Sequence, residues 1–159
     1  MFLSVKGAKS GVIKGESQDD VHGKEIDVVS WSWGMQAKLS LGGGTATGKA
    51  VVHELKIVKR VDSASTPLMS ALRTNELITK AVLTLRKAGK SALEFLKITI
   101  EQGRVTSITI DAGGDRESSP DVFENVSFTF NKITVEYVPQ GKDGQAMGSM
   151  LYQDQFGET

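Results

Sequence analysis

Residues Glu124–Pro139 read ENVSFTFNKITVEYVP, and their alternation changes phase partway along. Val126, Phe128 and Phe130 alternate with Ser127 and Thr129, whereas Ile133, Val135 and Tyr137 continue out of step with them. Side chains of a strand point to opposite faces with period two, so a uniform strand cannot put both sets into one core. The spacing predicts a bulge or bend near Asn131–Lys132, which lets one run of chain serve two sheets. A second slip lies near Val28–Val29, where Ile26 and Val28 give way to Val29, Trp31, Trp33 and Met35. Two long strands with phase shifts favour a mainly β fold. The expected form is a curled β-barrel or sandwich of two antiparallel sheets, not a flat sheet.

Period-two patterns broken by glycine-rich turns give strand candidates at Phe2–Gly7, Glu25–Met35, Ala50–Val61, Lys80–Ala88, Leu93–Gln102, Val105–Asp111 and Glu124–Pro139. One short helix interrupts them, in STPLMSALRTN. Thr66 is its expected N-cap, Pro67 suits the first turn, and Asn75 suits a left-handed stop. Two turns are marginal alone, so Leu68 and Leu72 must pack on the sheets. With neither an internal repeat nor a low-complexity linker, residues 1–159 read as one domain, the tail from Gly141 onward being the least legible part.

A chain of 159 residues buries enough surface to hold a core without metal or disulfide. Lysine plus arginine and aspartate plus glutamate stand at 19 each, so no net field draws nucleic acid or an anionic membrane. The absence of cysteine removes disulfides, thiolate nucleophiles and sulfur-ligated metals. The N-terminal run MFLSVKG is too short for the apolar part of a signal peptide, and no stretch reaches membrane-span length. The expectation is a protein made in the cytosol, without membrane insertion.

Several catalytic or ligand-binding patterns fail on inspection. GTATGKA, with Gly43, mimics a phosphate loop but ends in Ala50 where a hydroxyl is needed, and it leads into a strand. His22 lies among Glu16, Asp19 and Asp20, a conceivable metal site whose ordinary reading is a solvated charged loop. His53 reads as a strand histidine at a surface or subunit contact. DAGGDRESSPD carries Asp111, Asp115, Glu117 and Asp121 but lacks the calcium-loop pattern. Arg86, Lys87 and Lys90 read as a soluble hairpin tip, without the aromatics of a nucleic-acid platform. Ser17 lacks the second glycine of a nucleophile elbow. No catalytic, cofactor-binding or metal-ligating residue is assigned, and the expectation is a non-enzyme without cofactor.

The segments GESQDDVHGKEIDVVSWSWG, STPLMSAL, AVLTLRKAG, LEFLKITIE and ENVSFTFNKITVEYVPQ, with the glycine-rich loop, resemble in order and spacing the haemolysin-coregulated proteins of bacterial type VI secretion. The resemblance covers most of residues 1–139. It implies a β-barrel subunit with one helix that assembles into a homo-hexameric ring. Rings stack into a tube that a contractile sheath drives outward behind a spike protein of the VgrG type, with secreted effectors in the lumen. It further implies a cytoplasmic assembly that leaves the cell without a cleavable signal.

Within that frame, Trp31 and Trp33 are expected to pack one face of a strand while Ser30 and Ser32 present small hydroxyls to the lumen. Leu39 and Leu41, with Gly42, Gly43 and Gly44, fall in a loop, Ala37–Lys49, expected to contact the adjoining ring. The rival readings are a monomeric β-sandwich that binds a ligand such as carbohydrate, and a hydrolase built on Ser17, His22 or His53.

Overall fold

The computed structural model describes residues 1–39, 42, 48, 50–89, 92–112 and 121–156. In chain order it contains β1 (Phe2–Gly7), β2 (Gly11–Ile13), β3 (Ile26–Ser32), β4 (Met35–Gln36), β5 (Val51–Val52) and β6 (Leu55–Arg60). The helix α1 (Ser65–Arg73) follows, then β7 (Ile78–Arg86), β8 (Glu94–Ala112), β9 (Val122–Thr129), β10 (Lys132–Tyr137) and β11 (Met150–Gln155).

Strands β8, β7, β1, β3, β6 and β9 pair in that order, and β9 pairs back onto β8, so six antiparallel strands close a barrel. Closure removes the free edges that an open sheet would leave. Outside the ring, β10 and β11 extend from the first half of β8, and β2 flanks β1.

Both phase slips mark places where the chain changes partners. β3 pairs with β1 through Ile26 and Asp27, then with β6 from Val28 onward, and the register shifts between Val28 and Ser30. The Glu124–Pro139 run breaks at Phe130–Asn131: β9 joins β6 and the second half of β8, and β10 joins the first half of β8. Val126, Phe128 and Ile133 are all buried, each set by its own phase.

Three boundaries differ from the sequence expectation. Leu93–Gln102 and Val105–Asp111 are one 19-residue strand, β8, bent where Gln102 takes a positive φ of 54°. Gly103 follows, and a Cβ there would run into the carbonyl oxygen of Thr129. The Glu25–Met35 and Ala50–Val61 runs are each cut in two, at Trp33–Gly34 and at His53–Glu54, so that β4 and β5 form a separate two-stranded ribbon. β11 was not anticipated, because MLYQDQ carries no alternation and most of it is exposed.

The helix has Ala64 as N-cap with no side-chain bond, so Thr66 does not cap it. Asp62 does part of that work instead, its Oδ1 accepting the Ala64 N–H at 2.9 Å. Pro67 sits in the first turn, and Asn75 takes the left-handed conformation at φ 54° just past the end. Leu68 and Ala71 are buried and Leu72 half-buried, joining the core with Val5, Leu83, Ile100 and Phe128.

Candidate functional site

The outer face of the sheet β3–β6–β9–β8 follows from alternation and register. Leu55, Ile57, Val126 and Phe128 point into the core, so their neighbours Lys56, Val58, Asn125 and Ser127 point out. The register lays them in rows across four strands. One row runs Ser32, Lys56, Ser127, Ser107; the next runs Ser30, Val58, Asn125, Thr109. Ser30, Ser32, Asn125, Ser107 and Thr109 are exposed. Thr129 opposite Arg104, and Thr106 at the β8 bulge with Oγ1 donating to the Ser127 carbonyl at 3.2 Å, extend the same surface. It is a carpet of hydroxyl and amide groups with few long side chains. Ser30 and Ser32 hinted at it, but the other strands contribute as much, and only their pairing reveals this.

Trp31 on β3 and Trp33 just past its end are half-buried and packed against the core. The Trp33 Nε1 is buried, and no acceptor among the described residues reaches it. Trp33 also lines a depression of about 420 Å³ with Ser32, Gly34, His53, Glu54 and Lys56. His53 is exposed and sits between β5 and β6, not on a continuous strand. Leu39 is 64% exposed and Gly42 has a φ of 104°. Leu41, Gly43 and Gly44, like Asp115, Glu117 and Lys90, lie outside the described residues.

The charged segment before β3 is the main correction. His22 is buried, not solvated, and its ring stacks on Phe2 at 4.6 Å between centroids. Its Nδ1 lies 2.6 Å from Glu25 Oε2 and its Nε2 2.5 Å from Glu94 Oε1. Burial opposes charge on the ring, but the hydrogen bonds to Glu94 and Glu25 outweigh it, and the His22 pKa is raised. Asp19 pairs bidentately with Arg86, at 3.1 and 2.5 Å, and accepts the Val21 and His22 amides at 3.0 Å each. The guanidinium first, then the His22 amide, hold its carboxyl well below the usual range. Arg86 also lies over the Phe2 ring, 5.1 Å from its centroid, so it is a clasp and not a loose hairpin tip.

Backbone bonds complete the clasp: Gly15 N–H to Lys24 O at 2.8 Å, and Ser17 N–H to Glu25 O at 3.0 Å. A Cβ on Gly15 would stand 2.6 Å from the Glu25 carbonyl oxygen, which explains glycine there. With both ring nitrogens of His22 engaged by glutamates, the imidazole has no free nitrogen to activate Ser17. Among the described residues no group of three or more His, Asp or Glu is placed to hold a metal ion. The Glu76 carboxylate, nearly enclosed, accepts the Lys9 and Ser10 amides at 2.6 and 2.5 Å and the Ser10 hydroxyl at 2.7 Å, fixing the β1–β2 turn. Burial pushes its pKa up, but these bonds prevail and it is lowered. The clusters are structural, and the feature left facing outward is the hydroxyl face.

A closed six-stranded barrel with one helix, flanking strands and a polar outer face defines a class of mainly β barrel proteins. The family model described as the type VI secretion system effector Hcp matches residues 2–137, and the chain belongs to that family. It is 38% identical over 143 residues to the protein Hcp1 of Pseudomonas aeruginosa, covering 88% of this chain and 86% of the relative. Hcp1 from Salmonella typhimurium superposes with a TM-score of 0.72 at 29% identity, over 98% of this chain and 96% of that one. A variant of Hcp1 from the E. coli EAEC 042 pathovar shares the fold with a TM-score of 0.82 at 21% identity, over 98% and 97% of the two chains. The haemolysin-coregulated resemblance read from the sequence therefore holds, and this is a type VI secretion protein.

Proposed function

We propose that the protein is a non-catalytic building block of the type VI secretion tube, closing into rings whose lumen is lined by the β3–β6–β9–β8 face. The observation that carries this reading is the outward carpet of exposed Ser30, Ser32, Ser107, Thr109 and Asn125 with half-buried Ser127 among them. An outward β face of an ordinary soluble monomer carries long charged side chains, whereas a channel wall needs short polar ones past which cargo can slide. β11 supports self-association: among the described residues it pairs only with β10, and Met150 and Leu151 on it are 64% and 61% exposed. An apolar strand with a free edge invites another chain.

The sixfold ring number, the stacking of rings through the Ala37–Lys49 loop, the spike and sheath partners and the carriage of effectors rest on family membership. Negative-stain microscopy with sedimentation of the purified chain tests the reading. Annular particles are expected; a monomer at every concentration would overturn it.

A further inference from the structure

The hydroxyl face is not electrically neutral, although the chain as a whole has a formal net charge of zero. Its paired positions carry Lys56, Arg60 and Arg104 against Asp111 alone. Arg60 has Asp121 at 4.0 Å and stacks over Phe123 at 5.6 Å. Asp111 is engaged by the Asn125 amide at 3.2 Å. Among the described residues, Lys56 and Arg104 have no carboxylate within salt-bridge distance; the Arg104 guanidinium donates only to the Gly103 carbonyl, at 3.4 Å. Lys56 sits in the serine row between Ser32 and Ser127, and Arg104 stands opposite Thr129, two positions further along β9. Strand spacing and rise put their Cα atoms on the order of 12 Å apart.

Two cations with no carboxylate partner among the described residues, set among hydroxyl donors, fit carboxylates carried on another surface. Lys56 lines a depression together with Ser32, Trp33, Gly34, His53 and Glu54, the Glu54 carboxylate lying beyond salt-bridge distance of the ammonium. We propose that this face holds passenger polypeptides by their aspartate and glutamate side chains, with Lys56 and Arg104 as the two anchors. The proposal rests on the lumen reading for where the passenger travels, but not for the charge preference itself. A polar grip of this kind is reversible and weakens with salt, which suits a passenger that must be released.

The test uses the full chain, isotopically labelled, titrated with two blocked peptides of equal length, one alternating glutamate and serine, the other lysine and serine. The glutamate peptide should move the amide signals of Ser32, Lys56 and Ser127, and its affinity should fall roughly fivefold between about 50 and about 300 mM salt. Lys56→Glu and Arg104→Glu should each weaken it roughly tenfold. Lys6→Glu, the same charge change at the one exposed position of β1, should not. Lys56→Gln checks that loss of the cation, not a fold defect, is responsible.

Equal binding of both peptides, shifts confined to another surface, or equal loss in Lys6→Glu would overturn the proposal. So would binding only of a peptide with a free C-terminal carboxylate. Glutamate-selective binding by a chain that never forms rings would uphold the charge preference and remove the channel. Rings without selectivity would do the reverse.

Discussion

Lys59 and Glu124 stand directly opposite one another on β6 and β9, and their charged heads meet inside the barrel. Lys59 is completely buried. Its Nζ also lies 2.8 Å from Asp62 Oδ1 and donates to Ser65 Oγ at 3.2 Å, while Ser65 Oγ donates to Glu124 Oε2 at 2.9 Å. One core lysine thus joins the β6–β9 pairing of the barrel wall to the first turn of the helix that packs on it.

Removing one member of such a pair strands the other charge in the core. Lys59→Met should cost about 3–5 kcal/mol in denaturant unfolding. Lys59→Met with Glu124→Leu should recover most of that or exceed the parent, since well-packed apolar pairs often match a buried ion pair. Asp62 keeps the Ala64 amide in both variants. A double variant as unstable as the single would show that the pair itself contributes net stability.

The His22 clasp predicts a pH dependence with a definite sign. His22 has a folded-state pKa above the ordinary 6.5, so its protonation favours the folded state. That stabilisation is complete below about 6.5 and is lost as pH rises through the raised value. Facing His22 are Glu25 and Glu94, with Lys97 3.9 Å from Glu94 and the Asp19–Arg86 pair alongside. Melting temperature should therefore decline on the alkaline side of neutrality in the parent and stay flatter there in His22→Gln. Identical profiles would remove the imidazolium from the clasp.

The bend in β8 separates two adjacent positions. Gln102 occupies a left-handed conformation that costs a non-glycine residue roughly 1–2 kcal/mol, so Gln102→Gly should be neutral or mildly stabilising. Gly103→Ala places a methyl against the Thr129 backbone and should destabilise by about 1–3 kcal/mol. Thermal unfolding of the two variants should move them in different directions.

What the sequence revealed and what it hid have physical reasons. The slips at Val28–Val29 and Asn131–Lys132 were legible because alternation tolerates no drift when one face is buried. The β8 bend was half-legible: QGR interrupts the pattern, but nothing in it tells a bend from a break. Lys59 was hidden, because a lysine at an inward position looks like a phase error until Glu124 is seen opposite it. His22 was misjudged since Glu94, its partner, is 72 residues away. The serine face could be glimpsed only on β3; Ser107, Asn125 and Ser127 join it through pairings that single-strand periodicity does not specify. β11 offered no alternation at all.

If the Ala37–Lys49 loop bridges rings, exposed Leu39 on it should contribute to stacking and not to the barrel. Leu39→Asp should leave the unfolding free energy within about 0.5 kcal/mol of the parent, as surface changes do. Tubes or ring stacks in micrographs should shorten or vanish while single rings persist. Undiminished stacking would assign the leucine to its own subunit.

Ser32 tests the lumen reading at a single atom group. It is exposed, lies in the central row beside Lys56, and makes no side-chain hydrogen bond among the described residues. Ser32→Trp therefore removes nothing the barrel needs, and stability should change by about 0.5 kcal/mol or less. What it adds is rigid aromatic bulk in a row whose other members are Lys56 and two serines. Ring formation should survive, and co-purification of a passenger protein with the rings should drop, because a ring repeats the obstruction once per subunit around the same circumference. Rings that fail to close would instead place Ser32 at a subunit contact. Unchanged retention would place it on the outside of the tube.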